Sequence, residues 1–133
     1  MKLQFMWANI QPCNAQITVF FNWDAFNAFC DKNDLVEMKE LGDVGEQHNG
    51  SFISNDKQPF MYVMVLPEMF QTETVYHEAL HCAMTMWEQA GAELHMTSNQ
   101  EVLTYTQTHI VQQIQALYET KEEIENGDKN KNV

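Results

Sequence analysis

Apolar positions along this chain follow two periods, and the change from one to the other predicts its elements. "AQITVFFN" (Ala15 to Asn22) is rich in β-branched and aromatic residues and predicts a strand. "WDAFNAFCDKN" follows with Trp23, Phe26, Phe29 and Cys30 at helical spacing, and Asp24 in the first turn suits the helix dipole. Between Asp31 and Gly50 the pattern is polar. Acids recur there at every third position (Asp31, Asp34, Glu37, Glu40, Asp43, Glu46), and Gly42, Gly45 and Gly50 predict a loop or a short helix ending in loop. "NGSFISND" (Asn49 to Asp56) and "PFMYVMVLP" (Pro59 to Pro67) predict two short strands joined by a tight turn through Asp56 and Lys57. The second is apolar throughout, which predicts a central strand.

A long helix is predicted from about Gln71 to Ala90, with Gly91 as its left-handed stop. Its expected core face is Tyr76, Leu80, Ala83, Met84 and Trp87. Thr97 or Ser98 can cap a last helix, with Glu101 three residues past Ser98 in the capping-box position. That helix is expected to turn Val102, Leu103, Ile110, Ile114 and Leu117 inward and to end near Glu119. The order is β-α-loop-β-β-α-α, an α+β pattern. It predicts one domain over residues 1–125 and a frayed polar tail over 126–133.

Composition narrows the partners. Hydrophobic residues make up 44% of the 133-residue chain, enough for a packed core. Nineteen acids stand against seven lysines, arginine is absent, and the formal charge is -12. That argues against nucleic acid, whose phosphates and base edges are read by cationic forks, and against anionic membranes. It suits solubility or a basic partner. "MKLQFMWANIQPC" is too short, and too broken by Gln, Asn and Pro, for a leader peptide, and no run approaches the length of a membrane span. Cys13, Cys30 and Cys82 are odd in number and lack a CxxC spacing, so they are expected to be buried thiols in the cytoplasm.

The chemistry gathers in "HEALH", His77 to His81. Histidines four apart share one helix face, so two imidazole nitrogens can meet one ion. Zinc takes nitrogen and carboxylate donors in a tetrahedron, and a catalytic zinc keeps one position for water. A straight helix cannot supply a third ligand, but residues 91–97 allow a turn, after which Glu101 lies on a second helix able to pack on the first. His77, His81 and Glu101 then complete the ligand set. Glu78 is rotated out of the ligand positions yet stays beside the ion, where it can take a proton from the metal's water and pass it to a leaving amine.

With Glu101 placed after nineteen intervening residues, "HEALH" resembles the gluzincins, the thermolysin-like zinc metallopeptidases. Length and order are similar to the minimal single-domain gluzincins and to small metallopeptidase-like proteins encoded by phages. The resemblance spans about Thr72 to Thr106. It implies a zincin-like fold, a small twisted sheet on an active-site helix and a glutamate-bearing helix. It also implies zinc as cofactor, His77, His81 and Glu101 as ligands, and Glu78 as general base. An extended polypeptide substrate would pair with an edge strand, for which "NGSF" (Asn49 to Phe52) is the candidate.

One departure from the family stands out. Where gluzincins usually carry Asp four residues past the glutamate ligand, this chain has Tyr105, a phenol able to hydrogen-bond the first histidine or an oxyanion. His109, eight residues past Glu101, is a further candidate oxyanion donor, set against an ordinary exposed histidine. His95 in the interhelix loop is a weaker metal competitor, and His48 has no assigned role. Cys82 adjoins His81 but faces about 100° away, as a core thiol would. The expected function is a zinc metallopeptidase. The alternatives are a zinc-stabilised binding or structural module and, third, an acidic inhibitor or nucleic-acid mimic.

Overall fold

The computed structural model describes residues 3–45, 49–92 and 100–131. Among them run β1 (Phe5–Ile10), β2 (Ala15–Phe20), α1 (Trp23–Lys32), α2 (Val36–Gly45), β3 (Ser51–Ile53), β4 (Met61–Val65), α3 (Thr72–Gln89) and α4 (Gln100–Lys131). The strands form one mixed sheet in the order β1-β2-β4-β3. β2 and β4 are parallel, and the two outer strands pair antiparallel to their neighbours. The fold is α+β, as the pattern predicts.

Side-chain alternation divides the sheet's faces between two cores. Ile17, Val19 and Phe21 with Tyr62, Met64 and Leu66 pack against α3 and α4. Phe20 and Val65, with half-buried Val63, pack against α1 and α2 through Phe26, Cys30 and Met38. β4 is covered on both faces from Tyr62 to Val65, which accounts for most of its apolar sequence, while Met61 stays exposed. The polar stretch resolves into the exposed side of α2, where Glu37 and Glu40 face solvent and Met38 faces the sheet. The acids every third residue are therefore a solvated helix face along this part of their length.

β1 was not among the predicted elements. Its apolar run is followed by Gln11, Pro12 and Asn14, which read as breaks; they form the hairpin turn into β2, with Asn14 at φ 53. The β3–β4 hairpin forms as expected but through a longer connection. Asn55 Oδ1 accepts from Lys57 N at 2.9 Å and Asn55 O accepts from Gln58 N at 2.9 Å. Gly91 does end α3, with φ 85.

Two expectations about the long helices are corrected. The buried row of α3 is Val75, Ala79, Cys82, Ala83 and Met86, whereas Tyr76, Leu80 and Met84 are each about two-fifths exposed. The small residues let α3 lie close on the sheet, and that requirement outweighs the larger side chains one position away. On α4, Val102 is exposed, while Ile110, Val111, Ile114 and Tyr118 are buried and Leu103 and Leu117 pack at the edge of the core. The helix passes Glu119 without a break and continues to Lys131. Lys121 helps hold this extension. Its ammonium lies over the Phe21 ring at 5.1 Å and donates to Glu68 O at 3.4 Å and Glu125 Oε2 at 3.3 Å. Cys30 and Cys82 are buried free thiols, and Cys13 is half-buried. Burial pushes the Cys82 thiol well above its ordinary range, so it stays protonated and inert. No helix among the described residues is long and apolar enough to cross a membrane.

Candidate active site

α3 carries four side chains in one row at four-residue spacing: Glu73, His77, His81 and Thr85. All four line a cleft of about 660 Å³, together with Thr74 and Glu78 from the adjacent row. The facing wall is Asn49, Gly50, Ser51, Phe52 and Ser54, that is, β3 and the residues flanking it. Gly50 makes this closeness possible. A Cβ there would meet Thr74 Cγ2 at 2.8 Å and the Val65 carbonyl at 3.0 Å, so only glycine lets the chain entering β3 run against the first turn of α3. The stretch expected to be an edge strand thus begins at the sheet edge and borders the histidines.

Inside the cleft His77 Nε2 and His81 Nε2 are 3.2 Å apart. Two nitrogens at about 2.05 Å from one zinc ion and this far apart subtend about 103° at it, close to tetrahedral. With each ring centre about 1.15 Å behind its nitrogen, that arrangement sets the centres about 5.0 Å apart, whereas a head-on N–H···N bond of the same length sets them about 5.5 Å apart. The observed separation is 4.9 Å. The separation suits two nitrogens on a shared cation and equally a bent contact in which one ring donates to the other. Glu78 is 7% exposed, and its Oε1 lies 4.0 Å from His77 Nε2. A buried carboxylate next to two convergent imidazoles can hold a proton at the edge of whatever the imidazoles bind.

The remaining predicted residues are placed elsewhere. Glu101 is exposed in the first turn of α4 and does not line the cleft. Among the described residues, no group of three or more His, Cys, Asp and Glu side chains is arranged to hold a metal. Tyr105 is 73% exposed and also lies outside the cleft. His109 accepts a 3.4 Å hydrogen bond from Gln11 N, at the β1–β2 turn. The Thr97 or Ser98 cap, His48 and His95 fall outside the described residues. α4 packs on α3 through their shared apolar core, and two polar contacts add to it: Trp87 Nε1 donates to Thr106 Oγ1 at 2.9 Å, and Gln107 Nε2 donates to Tyr76 O at 2.9 Å.

Glu73, Thr74 and Thr85 were not anticipated as site residues. The signal for two of them was available, since the four-residue spacing through His77 and His81 continues to Glu73 on one side and Thr85 on the other. No protein-family model, curated protein or solved structure matches the chain.

Proposed function

We propose that the chain is a zinc-dependent peptidase with a zincin-like arrangement, in which the cleft between β3 and α3 takes an extended polypeptide. The single observation that carries this reading is the convergence of His77 and His81 beside a buried Glu78, under a sheet-edge strand. His77 and His81 would hold the ion, and the third donor assigned by the resemblance, Glu101, would have to move from its exposed place outside the cleft to reach it. Bound there, zinc supplies a Lewis acid for a carbonyl oxygen and makes a water acidic enough to serve as nucleophile near neutrality.

The chain's own residues perform the rest. Glu78 takes the nucleophile's proton on its carboxylate and returns it to the departing amine nitrogen. Its burial keeps bulk water from competing for that proton. β3, as the outer strand of the sheet beside the cleft, offers backbone groups for pairing with an extended chain. Among the described residues, α3 and β3 with its flanking residues wall the cleft and no second domain does, so general proteolysis is expected to be slow. The test is incubation of zinc-loaded protein with a defined peptide mixture, with products identified by mass spectrometry. Discrete cleavage that a chelator stops and zinc restores supports hydrolysis; no product at any zinc concentration contradicts it.

A second reading, a zinc-holding binding module without turnover, draws on the exposed position of Glu101. Two imidazoles without a carboxylate bind an ion but complete no hydrolytic ligand set. Zinc bound at full stoichiometry with peptide binding and no cleavage would favour it.

A further inference from the structure

The row Glu73, His77, His81, Thr85 contains one charged side chain to which zinc binding and proton transfer assign no task. Glu73 lines the cleft one turn before His77. The other carboxylate there, Glu78, is buried beside His77. Among the described residues no lysine lines the cleft, and the facing wall of Asn49, Ser51, Phe52 and Ser54 is uncharged. The chain as a whole has no arginine and a formal charge of -12, so the background potential has the same sign as Glu73.

Distance decides what Glu73 can reach. One helical turn is about 5.4 Å, and an extended chain advances about 3.3 Å per residue. Glu73 therefore stands level with a substrate residue one or two positions from the carbonyl that lies at the histidine pair. An ammonium or guanidinium there gains an ion pair, and a carboxylate there meets like charge.

We propose that Glu73 selects the substrate of this cleft, an extended peptide carrying lysine or arginine within two residues of the bond at the histidine pair. The inference rests on the peptidase assignment above, but charge selection is separable from turnover. Glu73 also sits in the first turn of α3, where a negative side chain favours the helix. That structural role changes stability and leaves the choice between peptides untouched.

The experiment uses four peptides identical except at one position, occupied by Lys, Arg, Gln or Glu. Zinc-loaded wild type cleaves the set in competition, and fluorescein-labelled copies are titrated into the Glu78→Gln protein. The Lys and Arg peptides should be favoured over Gln by roughly fivefold, and over Glu by more, with the preference shrinking as salt rises. Glu73→Gln should abolish the preference and Glu73→Asp should keep most of it. Equal cleavage of all four peptides, or an unchanged preference in Glu73→Gln, overturns charge selection and leaves the peptidase assignment standing. Selective binding to Glu78→Gln without turnover by wild type supports charge selection and overturns hydrolysis. Neither binding nor cleavage overturns both.

Discussion

Glu78 Oε1 lies 4.0 Å from His77 Nε2, yet the two neighbours differ in exposure: the His77 side chain is 67% exposed and that of Glu78 only 9%. The helix turns about 100° between them, enough to leave the imidazole in the open cleft and fold the carboxylate into its floor. In the proposed function the open residue holds an ion and the sheltered one a proton, and the first prediction follows from that proposal. Glu78→Gln keeps the size of the side chain, exchanges one acceptor oxygen for an NH2 donor and removes its ability to take a proton. Turnover of a cleavable peptide should fall by about 100-fold or more, while zinc content stays at the wild-type level. Turnover within a factor of two of wild type would remove Glu78 from the mechanism.

Gly50 sets the width of the cleft. A Cβ there would lie 2.8 Å from Thr74 Cγ2 and 3.0 Å from Val65 O. Gly50→Ala should destabilise the fold by about 1–3 kcal/mol, the usual cost of overpacking a tight contact. Adding Thr74→Ser removes the clashing methyl but leaves the carbonyl, so it should restore part of the loss. Urea unfolding of the single and double variants measures this, and an unperturbed Gly50→Ala would show that β3 is not held against α3 as described.

Stability should decline in alkali for a definite reason. Burial pushes the Tyr62 and Tyr118 phenols well above their ordinary value of 10.0. The Tyr62 hydroxyl donates to Gln89 Oε1 at 2.6 Å, and that of Tyr118 donates to Pro67 O. Above pH 10 the unfolded chain releases these protons while the folded chain retains them. The stabilisation is complete below pH 10 and is lost as pH rises beyond it. The urea midpoint should therefore fall from pH 9 to pH 11, and Tyr62→Phe with Tyr118→Phe should flatten that fall. An equal slope in the double variant would assign the alkaline loss to other groups.

Much of this fold is legible in the amino-acid order, and the misses have physical causes. The alternation through Ile17 and Val19, the unbroken run Met61–Val65 and the stop at Gly91 are local signals, and each corresponds to an element of the structure. β1 was hidden because its turn residues, Gln11 to Asn14, resemble breaks in a run. The core face of α3 is not legible from spacing because apolar side chains surround much of that helix, and only contact with the sheet chooses Ala79 and Cys82 over Tyr76 and Leu80. The ends of α4 depend on tertiary contacts, such as those of Lys121. In the site, the spacing of His77 and His81 is sufficient to bring them together because both lie on one helix. Glu101 is a different case. Its position depends on how α4 crosses α3, which the shared apolar core and the contacts of Trp87 and Gln107 set together and no local spacing encodes.

The proposal that His77 and His81 share one cation is tested most directly by zinc content. Purified protein is given one equivalent of zinc, dialysed, and measured by elemental mass spectrometry alongside His77→Ala and His81→Ala. About one zinc per chain in wild type, and a loss in both variants, is the predicted result. A trace in wild type, or the same content in all three proteins, would contradict it.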